Sequence, residues 1–264
     1  MNPYIGHETQ LSGVEEHRLV GGKGDGMRLY EATNGKGLEL TLSPDRNGDI
    51  TRLRYKGINM SYFSPCGYVA PAYYDKVGAN WLQSFTAGFL TTCGLQAVGT
   101  PCIDDGEELP LHGSIANQPC AQSYWEEDDK EIRIHSVTKD EVIFGRKLVL
   151  KRTVTISKEE NTFSIDDHIE NTGSKTEPME ILYHMNMGYP ILDEDSEKSS
   201  RGSEIVEKRI QIPDYAHLLP KEIASFTTNT VFNNENTHLS FTQGGGHGGS
   251  HPHLVHEFIR SILE

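Results

Sequence analysis

Long apolar runs are absent from this 264-residue chain. No stretch approaches the roughly 20 residues that a membrane-spanning helix needs, so no membrane partner is expected. Positive charge is scarce: 24 Lys and Arg stand against 38 Asp and Glu, a formal net charge of -14. Nucleic-acid backbones and anionic membrane surfaces reward positive charge, so neither is an expected partner. Cysteine is also sparse. Cys66, Cys93, Cys102 and Cys120 are widely spread in a chain large enough to bury its own core. That usage favours free thiols over a disulfide framework. The opening MNPYIGHETQLSG has no basic region followed by an apolar one, which predicts no signal peptide and a cytoplasmic protein. Nucleotide signatures are missing too. VGGKGDGMRL has G-x-G-x-G spacing but no strand–helix–strand setting, so residues 21–26 read as a surface loop and no cofactor is expected.

What the chain does have is alternation. GLELTLSP and DITRLRYKGINMSY read as short strands joined by the turn SPDRNGD. KEIRIHSVT, EVIFG, RKLVLKRTVTIS, NTFSIDDHIENTG and PMEILYHMNMG follow as further strands. Leu148, Leu150, Arg152 and Val154 share one face, as do Phe163, Ile165 and Asp167. No amphipathic helix of ordinary length separates the strands, so the expected class is mainly β, a large antiparallel β-sandwich. Residues 63–126, rich in Gly, Pro, Cys and aromatics, read as long loops carried on a sheet.

Near residue 195 the composition turns polar. Residues 1–196 and 197–264 are the expected divisions. DYAHLLPKEIASFTT suggests a short helix and NNENTHLSFTQ a short strand. From Pro252 onward, Leu254, Val255, Phe258, Ile259, Ile262 and Leu263 recur at helical spacing, predicting a short C-terminal helix. His247, His251, His253 and His256 precede or enter it. They lack the carboxylates or thiols of a persuasive metal site, so no metal is expected.

Two stretches could carry chemistry. In ELPLHGSIANQP, His112 sits among turn residues, where a loop-held imidazole can bond a substrate hydroxyl or exchange a proton, or simply bond backbone. In ILYHMNMGYP, Tyr183, Met185 and Met187 should share one strand face, and His184, Asn186 and Gly188 the other. His184 beside Asn186 suits a sugar-reading surface, though a histidine bonded across the sheet fits the same pattern. Arg46, Trp81 and Asp105, with Asn186, are the candidate substrate contacts; Trp81 and Phe85 could stack on a pyranose or belong to the core. Asp166 and Asp167 fall on opposite faces and make no carboxylate pair.

Together, FTAGFLTTCGLQAVGTPCIDDGEELPLHGSIANQP and MEILYHMNMGYPILDEDS resemble the aldose 1-epimerase-like, or galactose mutarotase-like, proteins over roughly residues 25–196. The resemblance implies a galactose mutarotase-like supersandwich and a cofactor-independent isomerase that interconverts sugar anomers. It casts His112 as the residue orienting the sugar and His184 as the general acid on the ring oxygen. The family's catalytic glutamate lies on a later strand, and here the likeness fades near Asp195. Glu204, Glu207 and Glu257 offer no convincing counterpart. The chain then closes its sandwich differently, or is a carbohydrate-binding module without turnover. The last sixty or so residues resemble the tail of glucose–fructose-oxidoreductase-like sugar dehydrogenases, as a fusion joined near residues 195–215 would.

Overall fold

A computed structural model describes residues 3–192 and the two short strands Thr230–Val231 and Phe241–Thr242. Packing divides the chain into residues 1–196 and residues 197–264. In the first unit every strand pair is antiparallel. One sheet of five strands runs in sequence order: β1 (Gly13–Arg18), β2 (Arg28–Thr33), β3 (Leu38–Ser43), β4 (Asp49–Tyr55) and β5 (Ile58–Asn59). β6 (Leu90–Leu95) leaves that sheet, and the hairpin β7 (Cys102–Asp104) and β8 (Glu107–Leu109) follows it. A second sheet holds β9 (Gln122–Glu127), β10 (Glu131–Glu141), β11 (Lys147–Ser157) and β12 (Phe163–Asn171) as a meander. β13 (Glu180–Met185) returns to pair with β6 as a two-stranded ribbon. In the second unit, β14 (Thr230–Val231) pairs with β15 (Phe241–Thr242), the latter inside the expected NNENTHLSFTQ strand. The expected helix from Pro252, the segment DYAHLLPKEIASFTT and the four terminal histidines lie outside the described residues.

The two sheets pack face to face because each strand turns alternate apolar residues inward. Leu40, Leu42, Ile50 and Leu53 meet Ile132, Ile134, Val154 and Ile156 in one buried cluster. Leu95, Ile115, Leu148 and Leu150 form a second, with Ile169 and Ile181 against it. Each fully buried Leu or Ile contributes about 1.5–3 kcal/mol relative to exposure. The face predicted for Leu148, Leu150, Arg152 and Val154 is buried throughout.

Two expectations are corrected. EVIFG is the turn between β10 and β11: Val142 N donates to Arg146 O, and Ile143 and Phe144 are exposed. Its apolar residues project into solvent because no strand lies opposite them. Residues 63–126 are less irregular than expected, since they include β6, the β7–β8 hairpin and β9. β6, LTTCGL, is buried at every position, so no alternation marks it. Among the described residues, no helix is long and apolar enough to cross a membrane.

Candidate functional site

His184 is held on β13, opposite Thr91 of β6. As expected from strand parity, His184 and Asn186 are half-buried and Gly188 is buried, while Tyr183, Met185 and Met187 are exposed. Gly188 is required by close approach: a Cβ there would lie 2.6 Å from Ser61 O and Tyr62 Cα. The neighbouring segment therefore seats directly on the end of β13. The Asn186 side chain is partly engaged, its Nδ2 donating to the His184 carbonyl at 3.0 Å, while its backbone carbonyl accepts from Tyr62 N.

His112 comes from the loop after β8 and adopts a left-handed backbone, φ 57°. Reciprocal bonds fix it to Gly99: its N–H donates to Gly99 O at 2.9 Å, and Gly99 N donates to its Nδ1 at 3.2 Å. Gly94 N donates to His112 O at 2.9 Å. A backbone N–H only donates, so Nδ1 is the unprotonated nitrogen and Nε2 carries the hydrogen. His112 is thereby held as a neutral donor. Burial, and then the charge of His184, hold its ring below the ordinary imidazole value.

The loop and the strand bring these rings together. His112 and His184 lie 5.8 Å apart between centroids and nearly perpendicular, at 82°. Trp81 meets His112 edge-on at 5.2 Å, Phe85 meets His184 at 5.6 Å, and Trp81 stacks on Phe85 at 4.5 Å. Trp81 is only 2% exposed, so it backs the cluster instead of presenting a face, whereas Phe85 is half-buried. The site therefore offers one fixed N–H donor, one imidazole available for proton transfer, and an aromatic ring beside them.

The other candidate residues lie differently. Arg46 is 4% exposed and donates to the carbonyls of Ala116, Val69 and Ser84, so it ties three loop segments together. Its burial lowers its pKa to about 10. Asp105 is exposed in the turn of the β7–β8 hairpin and lines a cavity of about 300 Å³ with Gln96, Glu107 and Arg146; none of the four rings lines it. Among the described residues, no ion pair or side-chain hydrogen bond joins a carboxylate to the His112 or His184 ring. Among the described residues, no cluster of three His, Cys, Asp or Glu side chains could hold a metal. The anchoring of His112 by Gly99 was missed in the sequence, because only tertiary placement brings that backbone to the ring.

The antiparallel β-sandwich is similar to the galactose mutarotase-like fold, as comparison with solved structures shows. A putative aldose 1-epimerase from Klebsiella pneumoniae subsp. pneumoniae is 29% identical with a TM-score of 0.62, over 68% of this chain and 48% of that one. The galactose 1-epimerase of Lactobacillus acidophilus is 12% identical with a TM-score of 0.43, over 66% and 52%. This chain thus spans about half the length of these structures. The family described as Domain of unknown function (DUF4432) matches residues 24–224, and the chain belongs to it. That match runs past residue 196. No curated protein matches the chain. The expected likeness of the C-terminal residues to sugar oxidoreductases finds no support in these comparisons.

Proposed function

We propose that this protein binds an aldose in its pyranose form at the His112–His184 cluster and interconverts its anomers. The observation that carries the reading is the 5.8 Å juxtaposition of the two rings, with Phe85 beside them, in a fold similar to an aldose 1-epimerase-like structure. His112 donates Nε2–H to a sugar oxygen and fixes the ring. His184 protonates the ring oxygen as the C1–O bond breaks, while the anomeric hydroxyl loses its proton and C1 becomes an aldehyde. Rotation about the C1–C2 bond and reclosure give the other anomer, with the protons returned. The chemistry consumes no cofactor. Among the described residues no carboxylate is bonded to either ring, so in this reading the proton of the anomeric hydroxyl leaves to water. Turnover is then slower by about the 10²–10⁴ that a positioned acid or base contributes. A cytoplasmic setting fits the four free thiols.

That no described carboxylate is bonded to either ring favours a second reading, a sugar-binding module without turnover. NMR exchange between α and β anomers of several aldoses distinguishes them. Catalysed exchange that falls at least about tenfold in His184→Ala supports the isomerase. Saturable sugar binding without excess exchange establishes the module. Neither binding nor exchange across the panel would sink both.

A further inference from the structure

A buried polar network ends one residue away from His184. Arg152 of β11, about 1% exposed in its side chain, donates Nε and a terminal nitrogen to the two oxygens of Asp167 on β12, at 2.8 and 2.7 Å. Its other bonds reach Asp49 of β4 at 2.8 Å and Thr92 Oγ1 of β6 at 2.8 Å. Thr92 closes the circuit by donating its N–H and hydroxyl to Asp49, at 2.9 and 2.6 Å. The last member is Tyr183, whose hydroxyl donates to Asp167 Oδ2 at 2.9 Å. Tyr183 and Thr92 are register partners across the β6–β13 ribbon, and the next pair is His184 with Thr91.

The chemistry of burial says this arrangement is not incidental. An isolated buried charge is costly, and here each is met by opposite charge and by hydrogen bonds. Among the described residues the ribbon has two strands, and Tyr183 and Met185 on one of its faces are exposed. Among the described residues it has no third strand to help hold its register. The Tyr183 hydroxyl ties it sideways to β12 at the position beside the imidazole.

We infer that Tyr183, through Asp167 and Arg152, is a positioning residue that holds His184 against His112. The inference rests on the proposed role of that histidine pair. Tyr183→Phe removes the hydroxyl and leaves the Arg152–Asp167–Asp49 bonds in place. Tyr183→Met serves as a second variant, and Ile165→Val on β12 as a control that only weakens packing. Expected for both Tyr183 variants is a kcat lower by about ten- to a hundredfold with KM within about twofold, as a misplacement near 1 Å produces. Ring-to-ring NOEs of His184 with His112 and Phe85 should weaken, and those between His112 and Trp81 should persist. The control should lose some thermal stability and keep every NOE and its kcat. Unchanged His184 NOEs in the Tyr183 variants overturn the inference. If the wild type exchanges no anomers, the functional reading fails while the NOE comparison still decides the positioning.

Discussion

Replacing Gly113 with alanine isolates the loop that carries His112. Gly113 is buried at φ 70°, and a Cβ there would lie 2.2 Å from Gly94 O and 2.8 Å from Ala97 O. Both neighbours are backbone atoms and cannot swing away as a flexible side chain would. The left-handed conformation alone costs a residue with a Cβ roughly 1–2 kcal/mol. Ordinary contact begins at 3.4 Å, so the loop must retreat from β6 by about 1 Å, and overpacking of that kind adds roughly 1–3 kcal/mol. A total of about 2–5 kcal/mol corresponds to a fall in Tm on the order of 10 °C for a chain of this size. The same retreat displaces His112 from His184, for which about a hundredfold loss of exchange rate is expected. Gly106→Ala is the matched control. Gly106 is also left-handed, φ 79°, but a Cβ there would meet nothing within 4 Å. Differential scanning calorimetry and anomer-exchange NMR on both variants give the comparison. If the Gly113 variant matches the Gly106 variant in Tm and the wild type in rate, the account of the loop is refuted.

Two more expectations concern titration and thiol chemistry. The folded His112 binds its proton less readily than the ordinary value of 6.5. Between those two values the unfolded chain holds more protons, so stability rises with pH through the window and falls as the solution is acidified below 6.5. Urea midpoints at about pH 7.5 and about pH 5.5 should differ less in His112→Gln than in the wild type; an equal difference counts against the assignment. Burial, with Asp49 nearby, pushes the Cys93 thiol up to about 12, and burial also raises Cys120. A thiol reagent should label exposed Cys102 first and reach Cys93 and Cys120 only on unfolding. Rapid native labelling of Cys93 would contradict that placement.

How much of this was legible depended on how each segment is buried. β10 through β12 alternate because one face meets the core and the other meets water, and the sequence repeats that division residue by residue. β6 is covered on both faces, so its Thr-Thr-Cys-Gly run carries no period to read. The strand β1, GVEEHR, buries only its first two residues and is polar beyond them, which hides an edge strand inside apparently loop-like sequence. In EVIFG the apolar content pointed to a strand, yet the residues sit at a turn where exposure follows from chain reversal.

The site divides along the same line. Strand parity places His184, Asn186 and Gly188 together, because a regular strand converts sequence order directly into direction. His112 depends on a left-handed backbone and on Gly99, thirteen residues earlier, neither of which a local pattern encodes. That difference has a chemical consequence. Two imidazoles at 5.8 Å disfavour a second positive charge. The Gly99 N–H already occupies Nδ1 of His112, which keeps that ring neutral and leaves Nε2 as its donor. In the proposed function the fixed loop histidine therefore orients the sugar without adding charge, and the strand histidine is the proposed proton donor. Because that proposal gives binding and proton transfer to separate groups, loss of a base would affect the proposed turnover without removing the proposed sugar binding.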